Sequence, residues 1–96
     1  MQRFEAYSAV MQAIQQSSLP DEDKKKLVRV LRLFPRKRRE VLNAVEEQLV
    51  YAGFIQETKE GLVVSEGPDG TYASGWLLLI QALIAFLPML LELLNK

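Results

Sequence analysis

The sequence predicts a mainly α-helical protein with a small β-hairpin: three short helices, a hairpin or meander, and a long apolar C-terminal helix. Three observations predict it. Through three successive segments before Gly53, apolar side chains recur at steps of three and four, the spacing of one helical face. Two β-prone runs, FIQET and LVVSE, then flank Lys59-Glu60-Gly61. Finally, no side chain in residues 70–91 carries a charge, and residues 76–91 are apolar apart from Gln81.

The first helix is expected over residues 3–16, with Phe4, Tyr7, Met11 and Ile14 on its apolar face. SSLPDED then breaks it. Ser18 is placed to cap the second helix, with Asp21 three positions on as in a capping box and Pro20 in the first turn. The second helix is expected to run to about Phe34, burying Leu27, Leu31 and Phe34. Pro35 disfavours a helical Phe34 and restarts a third helix, whose apolar face is Val41 or Leu42, Val45, Leu49 and Ala52. Gly53 stands where a left-handed C-terminal cap belongs, and Phe54 follows as the apolar residue beyond it. FIQET and LVVSE pair as a hairpin, and a second turn at Gly67-Pro68-Asp69-Gly70 offers TYAS as a weak third strand. The chain thus divides into a helical domain with a hairpin (1–66), a linking turn (67–74) and an apolar helix (75–96).

Composition narrows the function classes. With 96 residues there is room for one domain and an appended segment. The absence of cysteine removes disulfides, thiolate nucleophiles and Cys-ligated zinc, and the absence of histidine removes the commonest general base and metal ligand. A non-enzymatic protein is expected, without cofactor, metal or small-molecule substrate. Glu66 and Asp69 around a Pro-Gly turn read as a turn, not a calcium site. The glycines of that region lack the Gly-Lys-Ser/Thr of a phosphate loop. No apolar run near the start is long enough for a signal peptide, which suggests a cytosol-like origin.

Net charge is zero, but residues 1–53 carry ten cations against seven acids while residues 54–96 carry two against five. Residues 24–39 hold nine cations and no acid. Lys24, Lys25, Arg29, Arg32, Arg36, Lys37, Arg38 and Arg39 are the candidate contacts for anionic phosphates, of lipid or of nucleic acid. Four of them crowd the start of the third helix, where the dipole favours anions, so a bound phosphate would relieve the arrangement. A solvated face balanced by Glu40, Glu46 and Glu47 is the plainer explanation.

The C-terminal segment has the length and composition of a transmembrane helix, with Tyr72 and Trp76 as interfacial aromatics at one end. Gln81, Ala85, Pro88 and Glu92 form one narrow stripe, suited in lipid to packing against another helix, from this protein or a different one. Trp76, Leu78, Ile80, Leu83, Ile84, Phe86, Leu87, Leu90 and Leu91 occupy the rest of the circumference as a membrane or oligomer face. A soluble version would have to oligomerise to cover them.

Helix, helix, basic-started helix, glycine and hairpin is also an order of elements that resembles a winged helix-turn-helix domain over residues 4–66, with RREVLNAVEEQLVYAGFIQETKEGLVVS as recognition helix and wing. That resemblance implies Arg36–Arg39 at a DNA groove, Lys59 on the wing and the C-terminal helix as a dimerisation element. Two expectations follow. One is a single-span membrane protein with its N-terminal domain cytosolic or interior, an accessory or structural subunit of a membrane assembly such as a lipid-containing virion. The other is a cytoplasmic, oligomeric, winged-helix-like nucleic-acid-binding protein.

Overall fold

A computed structural model describes residues 2–95. Its elements are α1 (Ala6–Gln16), α2 (Asp21–Leu33), α3 (Pro35–Tyr51), β1 (Ile55–Thr58), β2 (Gly61–Val64) and α4 (Tyr72–Leu94). The molecule measures 37 × 27 × 18 Å. At 23 residues, α4 is about 34 Å long and so runs nearly the whole length of the body. The 18 Å thickness leaves room for two helix layers and no more. One face of α4 is covered by α1, α2, α3 and β2, and the other is not.

α1 buries Ala6, Ala9, Val10, Ala13 and Ile14, while Tyr7 is exposed and Met11 half-buried. This corrects the expected face of Phe4, Tyr7, Met11 and Ile14. Alanines occupy the centre of the contact because small side chains let two helix axes approach closely, and the bulkier residues are displaced to its margin. Phe4 is buried, but as part of an extended N-terminal segment: its amide donates to Leu62 O (2.9 Å), Gln2 O accepts from Val64 N (2.9 Å), and Arg3 bridges to Val63. The third strand expected from TYAS is therefore absent among the described residues. The chain start pairs with β2 instead, and Tyr72–Ser74 open α4.

The α1–α2 connection also differs from expectation. Pro20, not Ser18, is the N-cap of α2, and no side chain caps it. Ser17, buried, instead donates its hydroxyl to Ile14 O at 2.8 Å and accepts from Leu19 N at 3.4 Å, which closes α1. Asp21, Glu22 and Asp23 do stand in the first turn of α2, where the dipole favours them. α2 buries Leu27 and Leu31, and α3 buries Val41, Val45 and Leu49.

The end of α3 follows its sequence signature closely. Gly53 adopts φ +84°, its amide donates to Val50 O (3.1 Å), and Phe54 N donates to Leu49 O (2.9 Å), the two bonds of a Schellman motif. β1 and β2 then pair antiparallel with Thr58 opposite Gly61 across the two-residue loop Lys59-Glu60, and Gly61 takes φ +108°.

Residues 67–71 form a cap for α4. Gly70 N donates to Gly67 O (2.8 Å), and the Thr71 hydroxyl accepts from Ser74 N (3.3 Å) as N-cap. Asp69 accepts from the Ser74 hydroxyl (2.8 Å), the Thr71 hydroxyl (2.9 Å) and the Thr71 amide (3.1 Å). These bonds, from Ser74 first, hold its carboxyl below the ordinary value of 3.8. A depressed carboxylate stabilises the fold above that ordinary value, and the contribution disappears as pH falls through the lower folded value. Asp69→Asn is therefore expected to be less stable than the native chain at neutral pH, with the gap closing in acid, as read from urea midpoints across a pH series.

Leu79, Leu83, Leu87 and Leu90 of α4 are fully buried, and Ile80 nearly so. Of the residues expected to face lipid or a neighbouring protomer, Ile80, Leu83, Leu87 and Leu90 thus line this chain's own core. Trp76, Ile84, Phe86 and Leu91 are half-buried at its edge, and Leu78 is exposed. Gln81, Ala85, Pro88 and Glu92 share the open side. Three short helices and a hairpin cover more of α4 than their narrow apolar faces suggested, because alanine-lined α1 lies alongside it.

Candidate functional site

The most distinctive surface is the elbow between α2 and α3. Proline at position 35 disfavours a helical conformation for the residue before it, and Phe34 sits at φ −121°, ψ 90°. It serves both helices: its amide donates to Val30 O (3.0 Å) as the end of α2, and its carbonyl accepts from Arg38 N (2.9 Å) as the start of α3. A one-residue joint leaves no length to fold side chains inward. Leu33 is 63% and Phe34 51% exposed. Sequence periodicity placed Phe34 in the core of α2; the proline that redirects the chain also turns this ring outward. Leu33 was not singled out from the sequence at all.

Cations surround the joint. Arg32 and Arg36 stand two residues either side of Phe34, Arg29 lies one turn earlier on α2, and Arg39 one turn further on α3. All four are exposed. Among the described residues there is one ion pair, Lys37–Glu40 at 3.6 Å, so Lys24, Lys25, Arg29, Arg32, Arg36 and Arg39 have no acidic partner there. Two members of the basic block have structural duties. Arg38 Nη1 donates to Leu31 O (3.3 Å), satisfying a carbonyl that the end of α2 leaves free, and Lys26 hydrogen-bonds Asn95 Oδ1 at the end of α4.

The crowding of positive charge costs less than the sequence alone implies. The N-terminus of α3 lies one residue from the C-terminus of α2, so the same cations sit near a negative dipole end and a positive one. The two effects offset. What remains distinctive is unpaired charge beside exposed apolar side chains.

On the α1 side of α2 the elbow runs into an open groove of about 710 Å³ lined by Ile14, Gln15, Lys24, Lys25, Val28, Arg29, Arg32 and Leu33. Its floor is apolar, its rim holds four cations, and no acid lines it. A smaller groove of about 450 Å³ involves Glu46, Glu47, Val50, Tyr51, Glu57 and Leu62, with Tyr51 91% exposed. Charge is therefore segregated over the surface, but not by halves of the sequence: Glu46 and Glu47 of the second groove lie on α3, in the half that carries the net positive charge.

Comparison with known proteins finds no match. No family model, no curated protein and no solved structure is significantly similar to this chain. The order α1, α2, α3, β1, β2 is the one the winged helix-turn-helix resemblance rests on, but the single-residue joint at Phe34 is shorter than the three- or four-residue turn of such motifs. Among the described residues no group of three acidic, cysteine or histidine side chains could hold a metal. The Asp69 carboxylate is engaged by Thr71 and Ser74 in the turn before α4.

Proposed function

We propose that this chain is a non-enzymatic, membrane-associated structural or accessory protein whose α2–α3 elbow docks on an anionic lipid surface. The observation that carries the reading is the pair Leu33 and Phe34, exposed side by side and bracketed by Arg32 and Arg36. Two apolar side chains can enter the headgroup region while the guanidinium groups meet phosphates, the combination used by interfacial anchors. Nucleic-acid phosphate would engage the arginines as well, but gives the two apolar tips less to do. α4 is long and apolar enough to cross a bilayer, with a mean hydropathy of 2.4 over its most apolar 18 residues. Crossing one would take Leu79, Leu83, Leu87 and Leu90 out of the domain and leave Ala9, Val10, Leu27 and Leu31 without cover. Docking by the elbow keeps that core intact.

The test is vesicle flotation with the full chain. Binding is expected to phosphatidylserine-containing vesicles, not to pure phosphatidylcholine, with release by high salt or carbonate. Replacing Arg29, Arg32, Arg36 and Arg39 together by Ala should weaken binding roughly a thousandfold, at about 1 kcal/mol per cation near an anionic surface. Leu33→Ser with Phe34→Ser should weaken it further at constant charge. Carbonate-resistant insertion would replace docking by a spanning α4. Tight duplex DNA binding without vesicle binding would replace it by the nucleic-acid reading.

A further inference from the structure

Two grooves of opposite charge occupy separate parts of the surface. The one along α2 has four cations on its rim and no acid. The other, at the end of α3 beside the hairpin, is lined by Glu46, Glu47 and Glu57 and by no cation. The two share no residue. We infer that the acidic surface of one copy seats in the basic groove of a second, with the end of α3 lying along α2.

Local sequence sets up the fit. Residues 24–29 read KKKLVR and residues 46–51 read EEQLVY, so the two helices carry one frame with opposite charges. Leu27 and Leu49 hold the same position in that frame, and both are fully buried. With this leucine turned inward, the first, second, fifth and sixth positions share one side of each helix, within about 140° of arc. Lys25, Arg29, Glu47, Val50 and Tyr51 are accordingly exposed, and Lys24, Val28 and Glu46 half-buried.

Laid parallel, the frames set Lys24 and Lys25 against Glu46 and Glu47, and Val28 against Val50. The Arg29 guanidinium then meets the Tyr51 ring, a favourable cation–π contact. An antiparallel arrangement would set Lys25 on Val50 and Glu47 on Val28, charge against apolar. Complementary charge thus fixes direction and register as well as partner.

Tyr51 is the anchor. It is 91% exposed in its own chain, while the basic groove, of about 710 Å³, offers Ile14 and Val28 as an apolar floor. Tyrosine is among the side chains that dominate binding when seated in such a pocket. A lipid surface would engage the cations but repel the acids around Tyr51, whereas a second copy uses both. A contact between unlike patches also propagates, closing a ring or extending as a chain, which suits a structural subunit.

Sedimentation of the full chain in detergent-free buffer is expected to show self-association that weakens as salt is added. Glu47→Lys with Tyr51→Ser should weaken it roughly a hundredfold, and Lys24→Glu with Lys25→Glu similarly, without altering the thermal melt. A mixture of these two variants should associate again, since each retains the surface the other has lost. The chain has no cysteine, so introduced thiols report cleanly. Val28→Cys and Val50→Cys chains together should oxidise to a mixed disulfide much faster than either alone. A monomer at all concentrations overturns the inference. So does association that survives both double substitutions, or a Val28→Cys chain that cross-links alone as fast as the mixture. Glu47→Lys with Tyr51→Ser leaves every cation of the elbow in place, so failed self-association and failed vesicle docking are read separately.

Discussion

Leu83→Ala is expected to destabilise the folded chain by about 2–5 kcal/mol, enough to lower its melting temperature by roughly 10 °C or more. Leu83 is fully buried on the inner face of α4, in the same core as Leu79, Leu87 and Leu90. Removing its branched end leaves a cavity that α1–α3 can close only partly. Leu77→Ala, on the opposite side of the same helix and 62% exposed, should change protomer stability by less than about 0.5 kcal/mol. The contrast is informative because both are leucines in one apolar segment. If α4 were surrounded by lipid, acyl chains would close around either truncation, and the two variants would differ little. Thermal melts of the two proteins in detergent-free buffer measure it, and equal, small effects would remove the case for α4 as a core helix.

Gly75→Ala carries the second large effect, against the direction that helix propensity predicts. Alanine is favoured over glycine in a helix interior by about 1 kcal/mol. Gly75, however, is buried where the loop after β2 crosses the first turns of α4, and a Cβ there would run into the Ser65 carbonyl oxygen. A carbonyl in the main chain cannot swing aside as a side-chain tip can. Gly67 packs from the other direction, where an added Cβ would meet the Ser74 side chain and, at 2.8 Å, Gly75 N. Overpacking of this kind costs about 1–3 kcal/mol and displaces the loop; with a contact this close the cost falls at the upper end, and after the propensity gain the net result should be a loss of about 2 kcal/mol. Urea denaturation provides the measurement. A more stable Gly75→Ala would show that the loop does not lie against α4 as described. Gln81→Ala, exposed on the same helix, is the control for propensity alone.

These two positions also show where the sequence was and was not sufficient. The sequence divides a linking turn (67–74) from the apolar helix (75–96) at Gly75, yet α4 begins at Tyr72 and passes straight through that position. A glycine that ends a helix and one that admits a crossing backbone look alike in one dimension. The end of α3 at Gly53 was legible because its cap is local: the glycine, the following apolar residue and the bonds they complete lie within six residues. The hairpin at Lys59-Glu60 was legible for the same reason. The partner of its outer edge was not, since Arg3 lies 60 residues from Val63 and no local signal joins them.

The elbow divides in the same way. The block of cations and the break at Pro35 were plain in the sequence, whereas the outward turn of Leu33 and Phe34 depends on how α2 and α3 leave the joint. Likewise Arg38 and Lys26 were indistinguishable from their basic neighbours until Leu31 O and Asn95 were placed beside them.

The sequence by itself determined the order and type of nearly every element, the segregation of charge, and the length and apolarity of α4, because each follows from periodicity, caps or composition within a few residues. Only the tertiary structure decided which half of α4 is core and which is open. A helix that is apolar almost all the way round carries no preferred face of its own. The choice is made by what packs against it, here an alanine-lined helix brought alongside from the far end of the chain.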